Sequence, residues 1–437
     1  MYIPRNIDKE LKQWKRDRER KPLLIRGARQ VGKTKTIREF GKNFENYVEV
    51  NFEEYPGVKS FFESGLSPAD ICENLSAIFK SDITPGKTLL FLDEIQSCPA
   101  AIASLRYFYE KMPGLHVIAA GSLLEFALAE LPTFGVGRIR SIFLYPLSFP
   151  EFLTGTGEQR LLELMAAASP LNPLPVAVHE KLLRLVKKFI LLGGMPQVAA
   201  EYIQSGNINR CQLLLTDLLV AFRADFTKYK KKLQVTLLQE VFESVIAQAG
   251  NKFVYSAGSS SAHHSQIKNA LALLTTAGLV IPVTHTAANG LPLGAEANTK
   301  RQKMVLLDTG LFQRAMGLEL DEFLITNDFD VINKGSIAEQ FAGLELIKSL
   351  SCYDPPELFY WHREAKSSNA EVDYVISFRE KIIPVEVKSG KKGAMKSLRI
   401  FMDEKNTEKG IRISAENFSH YDKILTYPLY ASFLVRQ

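Results

Sequence analysis

The sequence predicts an α/β protein, with a parallel sheet at its N-terminal end, a helical stretch behind it, and a second α/β unit towards the C-terminus. Three observations carry this. The stretch GARQVGKT, Gly27 to Thr34, stands between a short apolar run and a helical pattern. The stretch TLLFLDE, Thr88 to Glu94, is a continuous apolar run closed by two carboxylates. Short apolar runs also alternate with amphipathic helical patterns through the first third, the rhythm of strands joined by crossover helices.

Taken in order, residues 7–20 read as a polar helix with Ile7, Leu11 and Trp14 at helical spacing, ahead of Pro22 and a strand at Leu23-Leu24-Ile25. The loop that follows fits GxxxxGK[ST]. Gly27 and Gly32 let the backbone turn its N–H groups inward, and the helix continuing through Thr36 to Phe40 adds its positive end. Lys33 reaches the β- and γ-phosphates of a nucleotide. The Thr34 hydroxyl suits Mg²⁺, a hard cation that takes few protein ligands. Gly27, Ala28, Arg29, Gln30, Val31, Gly32, Lys33 and Thr34 are therefore the expected nucleotide-binding residues, with ATP and Mg²⁺ as the expected cofactors.

Tyr47 to Phe52 reads as a second strand and Ala69 to Lys80 as the helix feeding the third, Thr88 to Leu92. Asp93 at its end is the expected second Mg²⁺ ligand, and Glu94 the expected general base that orients and deprotonates a water. A fourth strand, Leu115 to Ala120, ends at Gly121-Ser122, where Ser122 is a candidate sensor of the γ-phosphate and equally an N-cap for a helix from Leu123 to Leu131. Ile142 to Leu144 makes a fifth strand, and Arg138 or Arg140 before it suits a nucleotide at a domain boundary or at a subunit boundary in a homo-oligomer, with a plain surface arginine as the alternative.

With 437 residues and 46% hydrophobic content the chain exceeds one ordinary core. A net charge of +6 is mild, so nucleic acid is allowed rather than demanded. Cys72, Cys98, Cys211 and Cys352 are scattered without metal-ligand spacing, which suits a reducing cytoplasm. The N-terminal segment is charged almost throughout, and no apolar run approaches the roughly eighteen residues of a membrane span, so neither leader nor membrane partner is expected.

Residues 146–232 read as a helical lid, broken at Gly193-Gly194-Met195-Pro196 by a turn, hinge or cap. Residues 233–320 read as a winged helix: helices over 234–249 and Ser265–Ala277, a strand at Leu279–Val283, a loose loop, and a strand at Met304–Leu307. His263, His264, Lys268 and Asn269 at the second helix, with Lys300, Arg301 and Lys303 at the wing, would be its polar contacts to DNA, although such a module serves protein packing as well.

The last third begins a new α/β unit. A helix over Ser336–Leu350 carries Glu339, a strand follows at Leu358–Trp361, and two more strands run over Glu371–Ile376 and Ile382–Lys388. Glu386 and Lys388, two apart on a strand, share one face beside Asp373. An aspartate, a glutamate two residues before a lysine, and a helical glutamate form the set used in metal-dependent phosphodiester cleavage. Asp373 and Glu386 would hold the metal, with Glu339 and Lys388 as further catalytic residues. Lys388, Lys391, Lys392, Lys396 and Arg399 would follow a phosphate backbone. An exposed hairpin with paired charges is the plain alternative.

With these residues in hand, the chain resembles the prokaryotic AAA-type P-loop ATPases, of the ASCE and STAND-like kind, that carry a C-terminal domain of unknown function similar to the PD-(D/E)XK nuclease fold. The resemblance rests on YIPR at Tyr2 to Arg5, RGARQVGKT at Arg26 to Thr34, FLDEIQ at Phe91 to Gln96, AGSLLEF at Ala120 to Phe126, GRIRSIFLYPLSFPEF at Gly137 to Phe152 and GGMPQV at Gly193 to Val198. It extends through LLDTGL at Leu306 to Leu311, GSIAEQF at Gly335 to Phe341, EVDYVI at Glu371 to Ile376 and PVEVKSG at Pro384 to Gly390. It implies an ATPase core over 1–145, the lid over 146–232, the winged helix over 233–320 and a restriction-endonuclease-like domain over 321–437. It also implies ATP hydrolysis controlling a domain that engages DNA or a protein partner. A switch whose C-terminal domain does not cut is the alternative.

Overall fold

The computed structural model describes residues 1–130, 137–229, 233–318, 335–363, 369–390 and 395–436. Leu131, Lys232, residue 321, Lys391 and Lys392, which figure in the expectations above, lie outside them. Residues Met1–Tyr145 form one unit together with Thr276–Gly278 and Ser351–Pro355, and the other described residues form a second.

The first unit is built on five parallel strands: β1 (Leu23–Arg26), β2 (Asn46–Asn51), β3 (Thr88–Asp93), β4 (His116–Ala120) and β5 (Arg140–Phe143), in the order β2-β3-β4-β1-β5. Strands β3 and β4 are buried along their whole length. That burial on both faces accounts for their unbroken apolar character. Val48, Val50, Leu90, Leu92, Ile102 and Leu105 belong to the core on one side. Register aligns Leu92 with Ala119 and Ile25 with Ala120, so the loops after β1, β3 and β4 emerge together at the carboxyl edge. Strand β4, inserted between β1 and β3, thereby brings Ser122 beside Glu94.

The N-terminal helix spans Ile7–Arg16, shorter than the charge pattern suggests, because Asp17 turns to extended backbone. Ile7, Leu11 and Trp14 are buried as expected, and Trp14 Nε1 donates to the Lys21 carbonyl at 2.7 Å.

In the second unit, helices run over Phe149–Gly155, Gln159–Ala167, Val176–Leu192, Pro196–Ser205 and Ile208–Asp225. The glycine pair between two of them is a seat for a carboxylate. A Cβ on Gly193 would fall 2.0 Å from Asp308 Oδ1, and Gly194 N donates to Asp308 Oδ2 at 2.6 Å. Asp308 also caps the helix Thr309–Ala315 through the Leu311 amide. The GGMP and LLDTGL stretches are thus two halves of one buried contact.

The wing is where the structure departs most from expectation. Helices form over Val235–Ala247 and His264–Thr276, and β6 (Val280–Thr286) pairs with β7 (Ala297–Leu306) as a hairpin. The hairpin does not stand alone: β6 lies parallel to β8 (Leu358–His362), Val283 opposite Leu358. With β9 (Glu371–Phe378), β10 (Lys381–Val387), β11 (Gly410–Ser414), β12 (Ser419–Tyr421) and β13 (Ile424–Pro428) it completes an eight-stranded mixed sheet, β12-β13-β11-β10-β9-β8-β6-β7. Residues 233–320 and the C-terminal region therefore share one sheet rather than forming separate domains. The physical reason is that β6 is buried over most of its length and a lone hairpin would leave its other edge unpaired. The supposed loose loop contributes too: Ala288 and Leu293 pack in one core with Trp361, Leu398 and Phe401.

Candidate functional site

In the first unit, the loop after β1 has the strained shape its glycines predict. Gly27 has φ +139°, and a Cβ there would lie 2.1 Å from the Leu144 carbonyl oxygen. Gly32, at φ +95°, opens the helix Lys33–Gly41, and Gln30 takes φ +65°. Only glycine holds the first two positions without strain. Ala28 and Val31 are buried and Arg29 is partly so, which anchors the loop.

Lys33 is buried, and its ammonium donates to the carbonyls of Gly27 at 2.8 Å and Ala28 at 2.7 Å. Burial lowers it to about 8, against the pull of Glu94, Asp93 and Glu125. Thr34 Oγ1 donates to Asp93 Oδ2 at 3.0 Å, so the two expected magnesium ligands already face one another. Burial raises Asp93 to about 6, although the Thr34 hydrogen bond opposes this. Two hard oxygens from a helix start and a strand end fit Mg²⁺, which takes few protein ligands and fills its shell with water and phosphate oxygens.

Glu94 follows with φ +48°, a conformation uncommon for a non-glycine residue. Its Oε2 accepts from Gln96 Nε2 at 2.6 Å, Ser122 Oγ at 3.0 Å and Ser122 N at 3.2 Å. Among the described residues no partner is seen on Oε1. Ser122 therefore holds Glu94 from the end of β4, just ahead of the helix Leu124–Glu130. Gln96 is a site residue that sequence reasoning passed over. Gly121 leaves room for it, since a Cβ there would fall 1.9 Å from Gln96 Oε1.

Arg5 was also missed. Its buried guanidinium donates to the Val31 carbonyl at 3.1 Å and the Tyr145 carbonyl at 2.5 Å, tying the phosphate loop to the end of the sheet. The signal lay in the YIPR stretch, but no spacing rule gave it a role. Arg26 pairs with Glu125 beside the loop, and Arg138 pairs with Glu110 on the surface of the same unit.

A family profile described as an AAA domain matches residues 19–153. The N-terminal unit is similar to AAA domains over that stretch. Profiles described only as domains of unknown function match residues 183–322 and 334–430. No curated protein matches the chain. Among solved structures, the chain is similar to the Walker-type ATPase PABY2304 of Pyrococcus abyssi, at 14% identity and TM-score 0.46, over 72% of this chain and 96% of that one. It is also similar to the Aeropyrum pernix Orc1 protein in complex with DNA, at 14% identity and TM-score 0.27, over 74% of this chain and 94% of that one. No helix among the described residues is long and apolar enough to cross a membrane.

In the second unit the expected carboxylates do converge, with an addition. Asp373 on β9 accepts from the Val387 amide through Oδ2 at 2.8 Å, and Glu386 Oε1 accepts from Lys388 Nζ at 2.6 Å. The surprise is Lys303 on β7. Assigned above to an exposed wing, it is buried, with its side chain 2% accessible. Its ammonium lies 2.6 Å from Glu371 Oε1, 3.0 Å from Glu339 Oε1 and 3.6 Å from Asp373 Oδ1. Burial alone would lower Lys303; Glu339, Asp373 and Glu371 more than reverse this and hold it well above the usual lysine range. Among the described residues no group of three or more acidic, histidine or cysteine side chains is disposed to hold a metal ion. Of the two expected metal ligands, Asp373 stands beside the Lys303 ammonium and Glu386 beside that of Lys388. His263, His264, Lys268 and Asn269 are exposed on their helix.

Proposed function

We propose that the chain is a Mg²⁺-dependent ATP hydrolase in which Glu94 is the general base. The observation that carries this is the meeting of Thr34, Asp93, Glu94 and Ser122 at the carboxyl ends of neighbouring parallel strands, facing the loop that bears Lys33. Backbone amides of Gly27 to Thr34 bind the phosphates, and Lys33 leaves its two carbonyl partners to meet the β- and γ-oxygens. Thr34 and Asp93 would hold magnesium, which supplies charge neutralisation at the phosphates. Glu94, held through one oxygen, presents the other to a water, takes its proton and directs it at the γ-phosphorus. Ser122 keeps the carboxylate aimed and is placed to respond to the γ-phosphate.

The test is nucleotide binding by calorimetry with Mg²⁺. Wild type should bind ATP, Lys33→Ala should bind far more weakly, and Thr34→Ala should lose the magnesium dependence. Equal binding by all three would overturn the assignment.

For the C-terminal region, the Lys303 ion pairs favour a switch over a nuclease. Nucleotide state would govern a nuclease-like domain that engages DNA or a protein partner without cutting it. Incubation with single-stranded, duplex and branched DNA in Mg²⁺ or Mn²⁺, with and without ATP, should leave every substrate intact. Cleavage by wild type that Glu386→Ala loses would contradict this reading.

A further inference from the structure

We infer that the carboxylate cluster of the C-terminal sheet is a cation site whose resident cation is the Lys303 ammonium, and that this ammonium stands where a divalent metal would otherwise bind. This deepens the non-cleaving reading above, and its test uses no nucleic acid, so the two can fail separately.

Lys303 Nζ sits among Glu371, Glu339 and Asp373 at 2.6, 3.0 and 3.6 Å. Magnesium needs its oxygens at about 2.0–2.1 Å and its coordination shell nearly octahedral. An ammonium and a divalent ion cannot both occupy that point. Two outlying oxygens are committed elsewhere: Asp373 Oδ2 accepts from the Val387 amide and Glu386 Oε1 from Lys388. Glu386 Oε2 is buried with no hydrogen-bond partner among the described residues, and Glu339 and Glu371 each meet the ammonium through Oε1.

Nor is Lys303 a stray surface side chain folded inward. Its strand is fixed by pairing with β6, Lys303 opposite Val283, and its ammonium lies 5.4 Å from the centre of the Tyr360 ring. β6 is in turn bonded to β8, which pairs with β9, the strand carrying Glu371 and Asp373. The hairpin that sequence reasoning read as a wing thus delivers the counter-charge to the acids. Carboxylates gathered in a buried place are unfavourable unless paired, and the lysine supplies the pairing that a metal supplies elsewhere. Removing it should leave Glu339, Glu371 and Asp373 around the place the ammonium held, a donor set suited to a hard divalent ion.

The experiment counts Mn²⁺ bound to the full-length, nucleotide-free chain by electron paramagnetic resonance. Wild type and Asp373→Asn should bind the same number of ions. Lys303→Met should bind one more, and the Lys303→Met/Asp373→Asn double variant should lose it. A wild-type ion that Asp373→Asn removes would overturn the inference, as would a folded Lys303→Met chain that gains none. Should Lys303→Met fail to fold, the comparison of wild type with Asp373→Asn decides alone.

Discussion

Replacing Glu94 with glutamine separates chemistry from structure at the nucleotide site. Oε2 accepts three hydrogen bonds, from Gln96 Nε2 and from both the amide and hydroxyl of Ser122. A glutamine carbonyl turned the same way keeps all three. Each falls from a charge-assisted to a neutral bond, a loss of about 1 kcal/mol at most, and less at this half-buried position. The change at the free end is of another kind, because an amide nitrogen cannot take a proton from water. Loss of a general base lowers turnover by about 10²–10⁴-fold, equivalent to roughly 3–5 kcal/mol of barrier. The assay is steady-state phosphate release, with ATP binding and thermal unfolding measured on the same sample. Near-normal binding, a melting shift of a few degrees and nearly abolished turnover are expected. Turnover within about threefold of wild type, a barrier change below about 1 kcal/mol, would refute the role of Glu94.

Three further outcomes follow from the same unit. Gly121→Ala pushes the Gln96 amide off its position, since a Cβ there meets Gln96 Oε1 at 1.9 Å. The displaced group is the end of a flexible side chain, so turnover should fall several-fold while the melting temperature barely moves; unchanged kinetics would mean that Gln96 does not position Glu94. Arg5→Met removes the guanidinium from the Val31 and Tyr145 carbonyls, leaving two buried acceptors without it, at about 1–3 kcal/mol each. ATP affinity should drop with stability, and an unaltered Kd would show that the loop does not need this tie. His116, at the start of β4, is buried against Trp14 and Phe44 with its Nε2 3.2 Å from the Lys15 carbonyl, and burial, then Arg20, lowers it from 6.5 to about 4. The folded state thus holds it neutral while the unfolded chain takes up a proton, so stability is lost as pH falls from about 6.5 towards 4. Between pH 7 and pH 5 this should amount to about 2 kcal/mol in denaturant titrations, a loss His116→Gln should not share.

The nucleotide site was legible because its parts are local. A loop between strand and helix, and an acidic pair at a strand end, are written in consecutive residues, and a parallel sheet brings such ends to one edge. Ser122 was legible for the same reason, as the polar residue ending a strand. Gln96 and Arg5 were not, because one acts through a side-chain amide and the other through main-chain carbonyls, which leave no spacing. Glu339, Asp373 and Glu386 were named from the sequence, but Glu371 was not, nor was the ammonium that Glu371 meets at 2.6 Å. Lys303 reaches Asp373 only through the order β9-β8-β6-β7, and that order follows from β6 needing a partner on its second edge. Read along the chain, Lys303 shares a basic stretch with Lys300 and Arg301, which favoured a solvated wing.

The account rests on the N-terminal site hydrolysing ATP with magnesium held by Thr34 and Asp93. The most direct measurement is phosphate release from ATP by the full-length chain, in Mg²⁺ and in EDTA, with Lys33→Ala run in parallel. Release that requires Mg²⁺ and vanishes in Lys33→Ala is the predicted result. Release no greater than that of Lys33→Ala, or equal in EDTA, would contradict it.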